Sequence, residues 1–177
     1  GNMWVTDVAD HVVMKLDKDA NVLLKIGTKG TAGEWNQAAG ALLLNEPNDV
    51  ALDSRGNIYV AQGHGGDMPR VLKFSPTGDF IAQWGSRGYG PGQFVAAHAI
   101  EIDADDVLYV ADRENMRIQR FDTEGNLLRE WLNDSRSDVR MQRMLANAAA
   151  EWTNASCDPS YLLQGTRLAQ FEGWATT

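Results

Sequence analysis

Between Asn48 and Trp131, apolar and polar residues alternate in short runs, and each run stops at a cluster of Gly, Pro, Ser, Asp or Asn. Val50-Ala51-Leu52-Asp53 ends at Ser54-Arg55-Gly56-Asn57, and Ile58-Tyr59-Val60-Ala61 follows at once. Arg70 to Phe74 alternates again, and Ser75-Pro76-Thr77-Gly78 turns the chain into Phe80 to Trp84. A period of two suits a pleated strand, whose successive side chains point to opposite faces. Enrichment in β-branched and aromatic residues, with turn formers between the runs, predicts four short antiparallel strands rather than helices. Past Trp131 the period changes. Met141, Leu145, Ala148 and Trp152 recur at helical spacing with no Gly or Pro between them, which predicts an amphipathic helix over 137–152. Residues 153–159 read as a loop, and Leu162-Leu163 and Leu168 to Phe171 are candidate strands.

The strand set recurs. Asn48 to Trp84 aligns with His98 to Trp131, pairing Asp53 with Asp103, Tyr59-Val60 with Tyr109-Val110, Arg70 with Arg117, Phe74 with Phe121 and Gly78 with Gly125. Asn2 to Gly27 is a third copy without its front end: Trp4-Val5 takes the Tyr-Val place, Leu16 the Phe place and Ile26 the Trp place. Asp53 and Asp103 stand 50 residues apart, a period within the range of propeller blades. Four antiparallel strands repeated in tandem are the plan of a β-propeller blade. A β-sandwich is the alternative, and it offers no reason for anchors that pair one to one. The expected fold class is therefore all-β: a propeller fragment of about three four-stranded blades, the first incomplete, over residues 1–132, with a partly helical tail over 133–177.

Charge and length narrow the function. The 177 residues carry 16 Lys+Arg against 24 Asp+Glu, a net charge of −8. An acidic surface repels phosphate backbones and no basic stripe offsets it, so nucleic acid is not an expected partner. No apolar run nears the roughly 20 residues that cross a bilayer, so no membrane partner is expected and the chain reads as soluble. The compartment stays open between exported and cytoplasmic bacterial locations. Cys157 is alone, so the fold does not depend on an internal disulfide. Asn133 and Asn154 open glycosylation sequons, a chance-level signal outside secreted proteins. A start at Gly1 without a basic-then-apolar leader suggests processing or a fragment.

Three segments resemble a known family: WVTDVADHVVMKLD (Trp4 to Asp17), RVLKFSPTGDFIAQWG (Arg70 to Gly85), and GPGQFVAAHAIEI leading to VADRENMRIQRF (Gly90 to Phe121). They are similar to NHL repeats, and closely to those of the peptidyl-α-hydroxyglycine α-amidating lyases. VADREN-x-RIQ is the most specific string; the resemblance covers Asn2 to Trp131 and none of the tail. It implies a six-bladed propeller whose central cavity holds zinc on three histidines, with calcium elsewhere in the intact protein. It also implies a reaction, peptide amidation, in which a C-terminal α-hydroxyglycine is split into a peptide amide and glyoxylate. Three imidazoles leave zinc an open position as a Lewis acid. A neighbouring base takes the hydroxyl proton, and arginines hold the carboxylate by paired hydrogen bonds.

Carried over residue by residue, the resemblance makes His98, in AAHAI, the metal ligand and Arg113, in ADREN, an active-site arginine. Read as residues alone, His98 is a satisfied polar strand residue and Arg113 a loop arginine paired with Glu114 or Asp112. His64, in QGHGG, falls where the family has a catalytic tyrosine in a DGY motif, with Gln62 in place of the aspartate. Histidine can still be a base, although a solvated Gly-rich loop is the plainer reading. His11 matches a family histidine that is not a ligand, which favours a structural role. Gly88, Gly90 and Gly92 read as an interblade turn rather than a phosphate loop, and Trp84, Trp131 and Ile26 as core between blades. Tyr109 and Arg120 stand where the family has one of its blade disulfides.

These residues supply one of the three implied zinc ligands, and a six-bladed ring of about 40–50 residues per blade needs roughly 270 residues. The expectation is a fragment that is not catalytic alone. The alternative is a non-catalytic NHL module that binds a peptide or small molecule in its channel, including a half propeller that closes as a homodimer.

Overall fold

The structure, a computed structural model, describes residues 1–65, 67–132, 144–145, 148–149, 151–161, 168–169 and 171–172. The chain divides into two units, Gly1–Trp131 and Leu132–Thr177. The first is built from three sheets with strands in sequence order. Strands β1 (Met3–Asp7), β2 (Val12–Leu16) and β3 (Val22–Ile26) form a three-stranded sheet. The second sheet holds β4 (Pro47–Leu52), β5 (Ile58–Gln62), β6 (Arg70–Phe74) and β7 (Phe80–Trp84). The third holds β8 (Ala97–Ile102), β9 (Leu108–Asp112), β10 (Arg117–Phe121) and β11 (Leu127–Leu132). The incomplete first copy is thus a blade without its innermost strand, and β4 and β8 are the innermost strands of the other two.

Repeated aspartates close the tight turns. Asp53 Oδ1 accepts from the amides of Arg55 at 3.0 Å and Asn57 at 2.8 Å, while Oδ2 accepts from Asn57 Nδ2 at 2.8 Å and from the Tyr59 hydroxyl at 3.0 Å. Asp103 makes the same bonds to the amides of Asp105 and Val107 and to the Tyr109 hydroxyl. Asp17 and Asp122 do so toward Asn21 and Asn126. A carboxylate that accepts several donors at once satisfies turn amides the ladder cannot reach.

Alternation along β5 and β6 divides the core into two layers. Ile58, Val60, Leu72 and Phe74 pack with Val13, Ile26, Trp35 and Leu44 on the side of the first sheet. Tyr59, Ala61 and Val71 pack with Phe94, Ile100, Leu108, Val110 and Phe121 on the side of the third. The middle blade is buried on both faces, and each fully covered large apolar side chain contributes about 1.5–3 kcal/mol. The long connection before β4 carries no strand periodicity, yet it delivers Trp35, whose ring lies 4.9 Å from that of Phe74. Ile26 is buried and Trp84 packs against the second layer, as expected of residues between blades. Gly125 has φ +86°, and a Cβ there would stand 2.6 Å from Trp84 Cδ2, so glycine is required by backbone and space together. Tyr109 and Arg120 are cross-strand partners, with the guanidinium 5.8 Å from the ring centre. A cation–π contact therefore occupies the place where the resemblance implies a disulfide.

The second unit departs from the expected pattern. Residues 144–145, 148–149 and 151–154 are helical, but the buried positions are Met144 and Ala148, whereas Leu145 is 40% exposed. Of the expected apolar positions, Ala148 is buried and Trp152 half-buried, while Met144, four residues before Ala148, takes the place expected of Leu145. Met141, Leu162, Leu163 and Asn133 lie outside the described residues. The strand reading of Leu168 to Phe171 is overturned where it is described: Leu168, Ala169 and Phe171 are helical, with Phe171 buried. Leu168-Ala169-Gln170-Phe171 is too short a stretch for its period to separate helix from strand. Among the described residues no helix is long and apolar enough to cross a membrane.

Candidate functional site

The two inner strands share an irregularity. Pairing of β4 with β5 skips from Pro47 to Asp49, leaving Asn48 as the extra residue, and pairing of β8 with β9 skips from Ala97 to Ala99, leaving His98. A bulge interrupts alternation and re-aims the side chain it carries. Asn48 and His98 are therefore equivalent residues of neighbouring blades, as their alignment in the repeats implies.

The same end of the blades gathers the other candidates. The His64 and His98 rings lie 5.5 Å apart, tilted by 42°. His64 Nδ1 is 2.8 Å from Asn48 Oδ1, and Asn48 Nδ2 donates to the Ala97 carbonyl at 2.7 Å. Asp49 Oδ2 accepts from the Ile100 amide at 3.0 Å, a second tie between β4 and β8. Thr6 Oγ1 donates to the Asn48 carbonyl at 3.0 Å, tying β1 to the same residue. Arg113 opens a 3-10 turn, Arg113–Asn115, directly after β9, and its amide donates to the Ala96 carbonyl at 3.0 Å.

Electrostatics at His98 favour the neutral ring. Burial is the largest cause of a pKa below the usual histidine value, followed by the nearby Arg113 and His64, while Asp49 and Glu114 pull the other way. A neutral imidazole is the form that ligates a metal or accepts a proton. Arg113 is exposed, and its Nε donates to Glu114 Oε1 at 2.9 Å, the pairing that the residues alone suggested.

His11 lies elsewhere. Its Nδ1 accepts from the Glu46 amide at 3.1 Å, a structural bond that fixes the approach to β4. Among the described residues no group of three His, Cys, Asp or Glu stands together to hold a metal ion. The described residues thus do not complete the implied three-histidine zinc centre.

Most of VADREN-x-RIQ turns out to be framework. Asp112 Oδ1 accepts from the amides of Val95 and Ala96, and Oδ2 accepts from Asn115 Nδ2 at 2.6 Å and Arg117 Nε at 3.0 Å. Arg117 also reaches Glu130 and the carbonyls of Tyr89, Gly90 and Gln93. This anchors the Gly88-to-Gly92 turn between blades. In the middle blade Gln62 takes the place of Asp112, with Oε1 accepting from the Asn45 amide at 3.2 Å. Sequence reasoning missed this network and missed Asn48. The available signals were the pairing of Asn48 with His98 and of Gln62 with Asp112 in the repeats.

Antiparallel blades stacked face to face, with polar side chains bulged from their inner strands, define a β-propeller. A family model described as "6-bladed beta-propeller" matches residues 43–149, more than half of the chain, and the chain belongs to that family. It is 39% identical over 133 residues to the peptidylglycine alpha-amidating monooxygenase of Rattus norvegicus, covering 70% of this chain and 13% of that protein. It is 33% identical over 139 residues to NHL repeat-containing protein 3 of Homo sapiens, covering 75% and 39%. Against a probable peptidyl-alpha-hydroxyglycine alpha-amidating lyase of Caenorhabditis elegans it is 38% identical over 125 residues, covering 68% and 34%. The chain spans well under half the length of each of these curated relatives.

Proposed function

We propose that this chain forms part of a propeller site of the amidating-lyase kind, acting on a peptidyl-α-hydroxyglycine to release a peptide amide and glyoxylate. The observation that carries the reading is His98: bulged from an inner strand, held neutral by burial and by Arg113, and 5.5 Å from the His64 ring. His98 supplies one zinc ligand of the assembled site, and further donors come from outside the described residues. Arg113 binds the substrate carboxylate after exchanging Glu114 for it, and His64 accepts the hydroxyl proton as the C–N bond breaks and the glyoxylate C=O forms, the proton then passing to the leaving amide nitrogen. The test is zinc titration by calorimetry together with glyoxylate release, on the chain and on the propeller in its full length. The expected result is zinc uptake lost in His98→Ala, and glyoxylate release from the full propeller that falls in Arg113→Ala. A full-length propeller with neither zinc nor glyoxylate release overturns the reading.

The second reading is a non-catalytic NHL module that takes a peptide or small molecule in its channel. It is favoured by the Arg113–Glu114 pair, in which a carboxylate of the chain already occupies the guanidinium. In its homodimeric form, two copies with three sheets each make up a six-bladed ring, the second copy pairing with β1, an edge strand of its sheet among the described residues. Sedimentation of the 177-residue chain gives a dimer in that case, and a monomer excludes this form.

A further inference from the structure

Beside the His98 ring, His64 meets the side chain of Asn48, and that hydrogen bond carries chemical information. Asn48 Nδ2 lies 2.7 Å from the Ala97 carbonyl oxygen. A carbonyl oxygen only accepts, so the amide nitrogen must face it and the amide oxygen must face the other way. That oxygen, Asn48 Oδ1, sits 2.8 Å from His64 Nδ1. Since Oδ1 also only accepts, the proton between them belongs to the imidazole.

We infer that Asn48 is a positioning residue that locks neutral His64 as its Nδ1–H tautomer and leaves the lone pair on Nε2. The lock is built into the fold. Asn48 is the bulged residue of β4 and Ala97 borders the bulge of β8, so one amide spans the two inner strands and the loop after β5. Its backbone is held from a third direction by Thr6. A ring fixed through Nδ1–H presents Nε2 as acceptor or ligand, the way an outer hydrogen bond orients metal-bound and catalytic histidines. The role of Nε2 as the proton acceptor rests on the function proposed above; the tautomer itself does not.

The experiment is ¹⁵N NMR of the imidazole nitrogens of the metal-free chain, at a pH where His64 is neutral, with the backbone spectrum reporting the fold. The wild-type ring is expected as Nδ1–H. Asn48→Ala is expected to release it to the Nε2–H form that free imidazoles favour, and Asn48→Asp, which keeps an acceptor at the same place, is expected to retain Nδ1–H. A wild-type His64 found as Nε2–H overturns the inference without any variant, and so does a folded Asn48→Ala chain that keeps Nδ1–H. Failure of zinc uptake or of glyoxylate release would sink the proposed function and leave the tautomer result standing.

Discussion

Arg117 donates from Nε to Asp112 Oδ2 at 3.0 Å with both side chains fully buried, whereas its repeat counterpart Arg70 has a buried Nε with no hydrogen-bond partner among the described residues. The contrast follows from one substitution between blades: Asp112 in the third is Gln62 in the second. Arg70 turns instead to Glu34 at 2.9 Å and Gln83 at 3.1 Å through Nη1. Removing one partner of a buried, hydrogen-bonded ion pair leaves an uncompensated charge. Arg117→Ala is therefore expected to cost about 3–5 kcal/mol, measured by urea denaturation. A loss below 1 kcal/mol would show that Asp112 is rescued by its other donors.

Gln62→Asp should act in the opposite direction. A carboxylate there accepts from the orphaned Arg70 Nε, while the neutral bond from Gln62 Nε2 to the Met68 carbonyl, at 3.2 Å, is lost. Hydrogen bonds to charged groups contribute about 1.5–3 kcal/mol against 0.5–1.5 for neutral ones, so a net gain of about 1 kcal/mol is expected in the unfolding free energy. A lower unfolding midpoint would refute this.

His98 titrates below the free-histidine value of 6.5, chiefly through burial and then through Arg113. Because the folded pKa is the lower one, the unfolded chain binds more protons between the two values. Stability at this residue is thus complete above pH 6.5 and falls as the pH drops toward the folded pKa. NMR titration of the metal-free chain should place the His98 midpoint below 6.5, and Arg113→Gln should raise it. An unchanged midpoint in that variant removes Arg113 from the site.

The turn aspartates predict a second, more acidic loss. The Val107 amide is the largest cause of the lowered Asp103 pKa; at Asp53 and Asp122 burial raises it, and the bonds from Asn57 and Asn126 among others outweigh that. All lie below the ordinary value of 3.8, so their stabilisation is present above that pH and disappears as pH falls through the folded values. Guanidinium midpoints should drop below about pH 4, and the Asp103→Asn, Asp122→Asn double variant should show a shallower slope. Equal slopes would assign the acid loss to other carboxylates.

Gly125→Ala tests the contact between blades. The new methyl meets Trp84 and the backbone stays at φ +86°, so a cost of roughly 2–4 kcal/mol is expected from strain and overpacking together. Thermal unfolding reads it directly; a neutral result would mean that Trp84 has room to move.

Much of this architecture could be read from the chain alone, because strand alternation, turn-closing aspartates and repeated anchors are local signals that recur from blade to blade. Asp53 pairing with Asp103, and Phe74 with Phe121, sufficed to stack the blades and to place the missing inner strand of the first. The tail was harder: residues 168–171 are too few to carry a period that separates helix from strand. At the site, His64 and His98 were visible as candidates, but their approach was not, since it depends on two bulges that shift register by one residue. Nor could the alphabet alone show that Asp112, Asn115 and Arg117 are buried framework while Arg113 between them faces solvent. Local sequence specifies which residues recur and which turn. Which side chains meet depends on long-range strand pairing, where one extra residue redirects Asn48 and His98 toward shared neighbours.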